Sequence, residues 1–228
     1  MILESITLET PFAVARYGDG EFIVTQLNHP AINVSYEKHF GFTPSDKVKI
    51  QIRENVLKSV IGLDVIGITE LSSGTWGDSR VFWEMHAKQP IVSLDFHSYF
   101  AQHGITEMIL RKSKKLLYIS GHTINFQKFE NLQEIVHLDI PLQQCKYNDN
   151  RVYFPQYFDK IMNSINGMDL TGWTCLVGGG FVGKPFMVAI KKRGGVAIDL
   201  GSHMDRLAGY VIRGTHGKIA TIDTTFKL

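Results

Sequence analysis

Seven short runs of β-branched and apolar residues alternate with longer amphipathic stretches, and this rhythm constrains the fold more than any single motif. The runs are Phe12–Arg16, Asp64–Thr69, Ile91–Asp95, Lys115–Ser120, Glu134–Asp139, Trp173–Gly178 and Val196–Leu200, each the size of one strand. Between them lie Ser45–Ile61, Ser79–Lys88, Tyr99–Lys112, Pro155–Ile165 and Phe181–Arg193, each long enough for a helix, with Ser45 placed to cap the first. Such alternation predicts an α/β protein, a Rossmann-like, mainly parallel sheet with helices on both faces. With 228 residues, 44% hydrophobic and 20% charged, the chain suits a single domain over 1–228. Pro141–Arg151 reads as a surface loop or hinge, and Ile219–Ile222 offers one further edge strand.

Charge and cysteine usage narrow the setting. A net charge of +2, without a long basic block, gives no electrostatic reason to expect nucleic acid as a partner. Lys191-Lys192-Arg193 suits the last turn of a helix. Cys175 sits in the apolar stretch Trp173–Val177 as a small buried thiol, and with only Cys145 beside it no disulfide framework is expected. Met1–Ser5 lacks a basic segment leading into an apolar core, and no run of about 18 apolar residues occurs. The expectation is a cytoplasmic protein without a membrane span; a homo-oligomer stays open.

The first motif is Arg16-Tyr17-Gly18-Asp19-Gly20-Glu21, directly behind a strand. Two glycines let the backbone approach a ligand, and Asp-x-Glu spacing can aim two hard oxygen ligands at one divalent cation. The same residues equally make an acidic turn, with Asp19 as N-cap and Glu21 in the first turn of a helix.

The second motif is Val177-Gly178-Gly179-Gly180-Phe181-Val182-Gly183-Lys184-Pro185, where glycines at 178, 180 and 183 match G-x-G-x-x-G between a strand and a helix. A diphosphate suits such a loop, and Pro185 is tolerated in a first turn. Asp199 ends the next strand, about where a dinucleotide fold places its ribose-binding carboxylate. An NAD-dependent oxidoreductase is therefore one reading. It puts the fingerprint near the end of the chain, however, and leaves Asp19 and Glu21 unemployed. A tight connection that binds nothing is another.

Polar residues return at Gly201-Ser202-His203-Met204-Asp205 and at Arg213. His203 and Asp205 suit general-base chemistry and Arg213 suits a phosphate, while a surface histidine and an Asp205 helix cap account for the same residues. Trp76, in the loop Ser72–Asp78, offers a flat face for a sugar, but an ordinary loop with Asp78 as helix cap fits as well. Polar groups also gather where other strands stop, at Ser120-Gly121-His122 and Asp95-Phe96-His97, yet the histidines share no metal spacing. No nucleophile elbow, Walker loop, C-x-x-C pair or H-E-x-x-H segment is present.

Taken in order, Arg16–Glu21 near the start, with Val177–Gly183 and Ala197–Ser202 near the end, resemble the GT-D type glycosyltransferases. The middle of the chain, from about Thr43 to Leu170, matches by strand and helix rhythm. The resemblance implies a Rossmann-like fold, a nucleotide sugar donor such as a UDP-hexose, and Mn²⁺ or Mg²⁺ at Asp19 and Glu21. It implies transfer of a hexose to an acceptor hydroxyl of a glycan or glycoconjugate. Arg16, Gly18, Gly178, Gly180, Gly183, Lys184, Asp199 and Arg213 would then face the donor, and His203 or Asp205 would serve as base. A nucleotide- or sugar-binding module without catalysis is the remaining alternative.

Overall fold

In the computed structural model, which describes residues 1–142, 149 and 151–210, all seven expected strands form and join one sheet. They are β1 (Phe12–Tyr17), β2 (Val65–Ile68), β3 (Ile91–Ser93), β4 (Lys115–Ser120), β5 (Glu134–Asp139), β6 (Trp173–Val177) and β7 (Val196–Asp199). Their order is β3-β2-β1-β7-β6-β4-β5, and every pairing is parallel. All strands therefore end at the same edge.

Alternation along β1 shows why both faces are covered. Ala13, Ala15 and Tyr17 enter one apolar cluster, whereas Phe12 and Val14 enter the other. Each buried face needs its own layer of helices. The first cluster takes Phe22 of α2 (Asp19–Thr25), Tyr36 of α3 (Ile32–Phe40), Val56 of α4 (Asp46–Gly62) and Trp83 of α5 (Gly74–His86). Ile161 of α8 (Phe158–Asn166) and Phe186 of α9 (Lys184–Lys192) complete it. On the opposite face, α1 (Ile2–Leu8), α6 (Phe96–Gln102), α7 (Ile105–Lys112) and α10 (His203–Leu207) supply Leu3, Phe96, Ile109, Leu110 and Met204.

Departures from the expected elements have local causes. Tyr99–Lys112 is two helices, because Gly104 at φ +67° turns the chain between them. The helix expected from Ser79 begins five residues earlier, with Ser73 at the N-cap position, so Asp78 lies inside it. The helix expected from Pro155 starts at Phe158, after a wide turn at Tyr153–Tyr157. Asp205 lies within α10, whose N-cap is Ser202. Ser45 holds the N-cap position of α4 through its carbonyl, without a side-chain capping bond, Pro185 sits in the first turn of α9, and Lys191 and Lys192 occupy its last turn. Cys175 is fully buried, which pushes its thiol pKa up. Cys145 and Ile219–Ile222 lie outside the described residues, as does most of residues 143–150. Among the described residues no helix is long and apolar enough to cross a membrane.

Topology also locates a site. From central β1 the chain moves outward to β2 and β3, and β1 receives its other neighbour only with β7. The edge beyond β1 and β7 is thus the switch point where open α/β sheets bind ligands.

Candidate functional site

At that edge the loops after β1, β6 and β7 are joined by one ammonium. Lys184, 2% exposed, bonds Asp199 through Nζ and Oδ2, and the same Nζ lies 3.0 Å from Oε1 of Glu21. The Glu21 Oε2 accepts the Gly18 amide at 3.0 Å. Asp199 accepts the Arg16 amide on Oδ2 and the Gly201 amide on Oδ1, both at 3.0 Å. Buried charges are tolerated when paired and hydrogen-bonded in this way. Burial pushes the Asp199 carboxyl up, but the charges of Lys184 and Arg16 and their hydrogen bonds outweigh it and hold the group below the usual carboxylate range.

In front of this network runs a cleft of about 120 Å³. Its cationic end is the Arg16 guanidinium, whose Nη1 lies 2.5 Å from Nε2 of His97. A guanidinium can only donate, so His97 accepts with that nitrogen. Gly201, at φ +49°, lies against the same group: a Cβ there would sit 2.8 Å from Nη2 of Arg16. One wall is the loop Gly178-Gly179-Gly180. Tyr153 donates its hydroxyl to the Gly179 carbonyl at 3.1 Å, and a Cβ on Gly179 would stand 2.8 Å from both that oxygen and the Gly183 Cα. Only glycine fits there. Ser120 at the end of β4 and Gly121 after it, Ile140–Leu142 after β5, and His39 of α3 complete the lining with Ser202 and Asp205. Oδ1 of Asp205 is 3.4 Å from Nε2 of His122, whose ring stacks on Tyr210 at 4.4 Å.

Of the residues singled out in the sequence, Arg16, Gly178, Gly180 and Asp205 line the cleft. Glu21, Lys184 and Asp199 form the buried network behind it, so Lys184 is not a cation of the cleft surface. Gly183 leads into α9, and Gly18 caps α2, 3.5 Å from the Trp76 ring by its would-be Cβ. Trp76 does not line the cleft either. His203 faces elsewhere: it is 8% exposed, its Nε2 is 3.4 Å from the Thr106 hydroxyl, and it is absent from the cleft lining. Burial, followed by the charges of Arg206 and Arg16, lowers its pKa to about 4. Arg213 lies outside the described residues. His122, Tyr153 and His39 are site residues that spacing did not select. His122 had a usable signal, since it directly follows a strand in a polar cluster.

The Asp-x-Glu pair takes a form that spacing could not reveal. Both residues lie in α2, where positions i and i+2 point away from each other, and both Glu21 oxygens are engaged by Lys184 and Gly18. Oδ1 of Asp19 accepts the Gly20 amide at 2.9 Å, and Asp19 is not part of the cleft lining. Among the described residues no three His, Cys, Asp or Glu come together to hold a metal. Neither carboxylate of the motif lines the cleft.

No family model matches the chain, and no curated protein does. The chain is similar to a solved structure of the highly conserved domain of unknown function 1792, described as having a distinct glycosyltransferase fold. The two share 18% identity with a TM-score of 0.53, over 93% of this chain and 82% of the other. The likeness is one of fold, a parallel α/β sheet of glycosyltransferase type.

Proposed function

We propose that the protein is a metal-dependent glycosyltransferase of the GT-D type, moving a hexose from a UDP-sugar to an acceptor hydroxyl of a glycan or glycoconjugate. The observation that carries this reading is the Arg16 guanidinium, held between His97 and Gly201 in a cleft walled by the Gly178–Gly180 loop. A guanidinium beside close-packed glycines suits a diphosphate. Arg16 would bind the leaving diphosphate, the loop would allow its close approach, and Asp205 would take the proton of the acceptor hydroxyl. A cleft of about 120 Å³ holds only part of a nucleotide sugar, so the rest extends past its mouth. Asp19, outside the cleft lining, would meet Mn²⁺ or Mg²⁺ only on donor atoms that extend past the mouth; such an ion, when bound, neutralises phosphate charge.

The rival NAD reading loses its key residue. Asp199 is 3% exposed, and both its oxygens are committed to Lys184, Arg16 and Gly201, so it is not placed to bond a ribose. Incubation with UDP-hexoses and Mn²⁺, following UDP release, tests the proposal. Cleavage that disappears in folded Arg16→Gln and Asp205→Asn variants supports it. Binding of UDP without cleavage of any UDP-hexose would make the protein a binding module instead.

A further inference from the structure

Asp205 reaches the cleft from the first turn of α10, and its side chain is 21% exposed. Behind it stands His122, 6% exposed, with Nε2 3.4 Å from the Asp205 Oδ1. Among the described residues, Tyr210 stacks on that imidazole at 4.4 Å and 21° and Asp205 meets its edge, while the backbone amide of His122 donates to the Ser120 hydroxyl oxygen at 3.1 Å. A buried ring stacked on one face, with one nitrogen beside the only carboxylate that lines the cleft among the described residues, is more than core filling.

We propose that His122 is a positioning residue for Asp205, forming an imidazole–carboxylate pair that orients the base toward the acceptor hydroxyl. The inference rests on the glycosyl-transfer reading for its chemistry and on the pair itself for its geometry. In the step served, the acceptor oxygen bonds to the anomeric carbon as the bond from that carbon to the diphosphate oxygen breaks. Diphosphate leaves with the electron pair, and the acceptor proton ends on Asp205. A carboxylate has two oxygens; Oδ1 is the one beside His122, and Oδ2 is the one assigned to the acceptor proton. The 3.4 Å separation is an ion-pair distance rather than a formed hydrogen bond, and catalytic pairs of this kind commonly tighten once substrate is bound. Burial lowers the His122 pKa while Asp205 raises it, so the two groups sense each other electrostatically.

The test joins two readouts on the full chain. Imidazole titration by NMR is compared in wild type and Asp205→Asn; loss of the carboxylate lowers the His122 midpoint, by about half a unit or more. An unmoved midpoint overturns the pair. UDP release from a UDP-hexose is then measured for His122→Ala and His122→Gln. The alanine variant loses about 100-fold in kcat at unchanged donor KM, as expected for a misplaced catalytic group, and glutamine, which can return an N–H near the Nε2 position, restores much of it. Full activity in His122→Ala, or equal loss in both variants, overturns the positioning role. If wild type neither binds nor cleaves nucleotide sugars, the glycosyl-transfer reading fails, and the titration alone then decides whether the pair exists.

Discussion

Lys184 Nζ lies 3.0 Å from Glu21 Oε1 and also bonds Asp199, so one ammonium ties the helix after β1 to the end of β7. The lysine that follows a phosphate-type glycine loop is thereby turned inward. Its effect on a ligand is indirect: it fixes the three loops from which Arg16, Gly178–Gly180 and Gly201 form the cleft.

Removing that ammonium strands two carboxylates. Lys184→Ala is expected to lower stability by about 3–5 kcal/mol, since Asp199 stays buried without its partner. Urea unfolding measures this, and adding Asp199→Asn to the variant recovers part of the loss as a coupling between neighbours.

Acid is expected to act through His203. Its folded-state pKa of about 4 lies below the ordinary histidine value near 6.5, so the unfolded chain takes up the proton first as pH falls. The stability contribution is complete above about pH 6.5 and disappears as pH drops toward 4; by pH 5 about 2 kcal/mol is lost. Unfolding at pH 7.5 and 5 shows the slope, and His203→Gln flattens it.

Gly201→Ala is expected to damage binding more than folding. The added Cβ meets the Arg16 guanidinium at 2.8 Å, and φ of +49° strains an alanine by about 1–2 kcal/mol. Calorimetry should show weakened UDP binding in a protein whose thermal unfolding is only slightly lowered.

Arg16→Gln separates the two roles of residue 16. The amide bond to Asp199 belongs to the backbone and survives, whereas the guanidinium facing the cleft is lost. UDP affinity should fall about tenfold or more, the scale of one charged hydrogen bond, with a smaller loss of stability than in Lys184→Ala because the direct partner of Asp199 remains.

The strands were legible because each is a short apolar run closed by small or polar residues, and β4 and β5 have the expected bounds. Short helices were less so: α1 and α3 owe their form to packing against the sheet, and seven to nine residues carry too little periodicity to declare themselves, whereas α2 and α10 were open to reading from the cap chemistry of their acidic residues. At the site, the glycine loop and Arg16 could be read from chain order. The fate of Lys184 and Glu21 could not, because whether a lysine faces a ligand or two carboxylates depends on which strands lie side by side. His122 was passed over for want of metal spacing, although its partner is one carboxylate, Asp205, 83 positions away in sequence and 3.4 Å away in space.

Calorimetric titration of the full chain with UDP, with and without Mn²⁺ and alongside NAD⁺, tests the central claim most directly. The account predicts saturable UDP binding strengthened by Mn²⁺, weakened in Arg16→Gln and no longer responsive to the metal in Asp19→Ala. Tight, metal-independent binding of NAD⁺ with no response to UDP would contradict it.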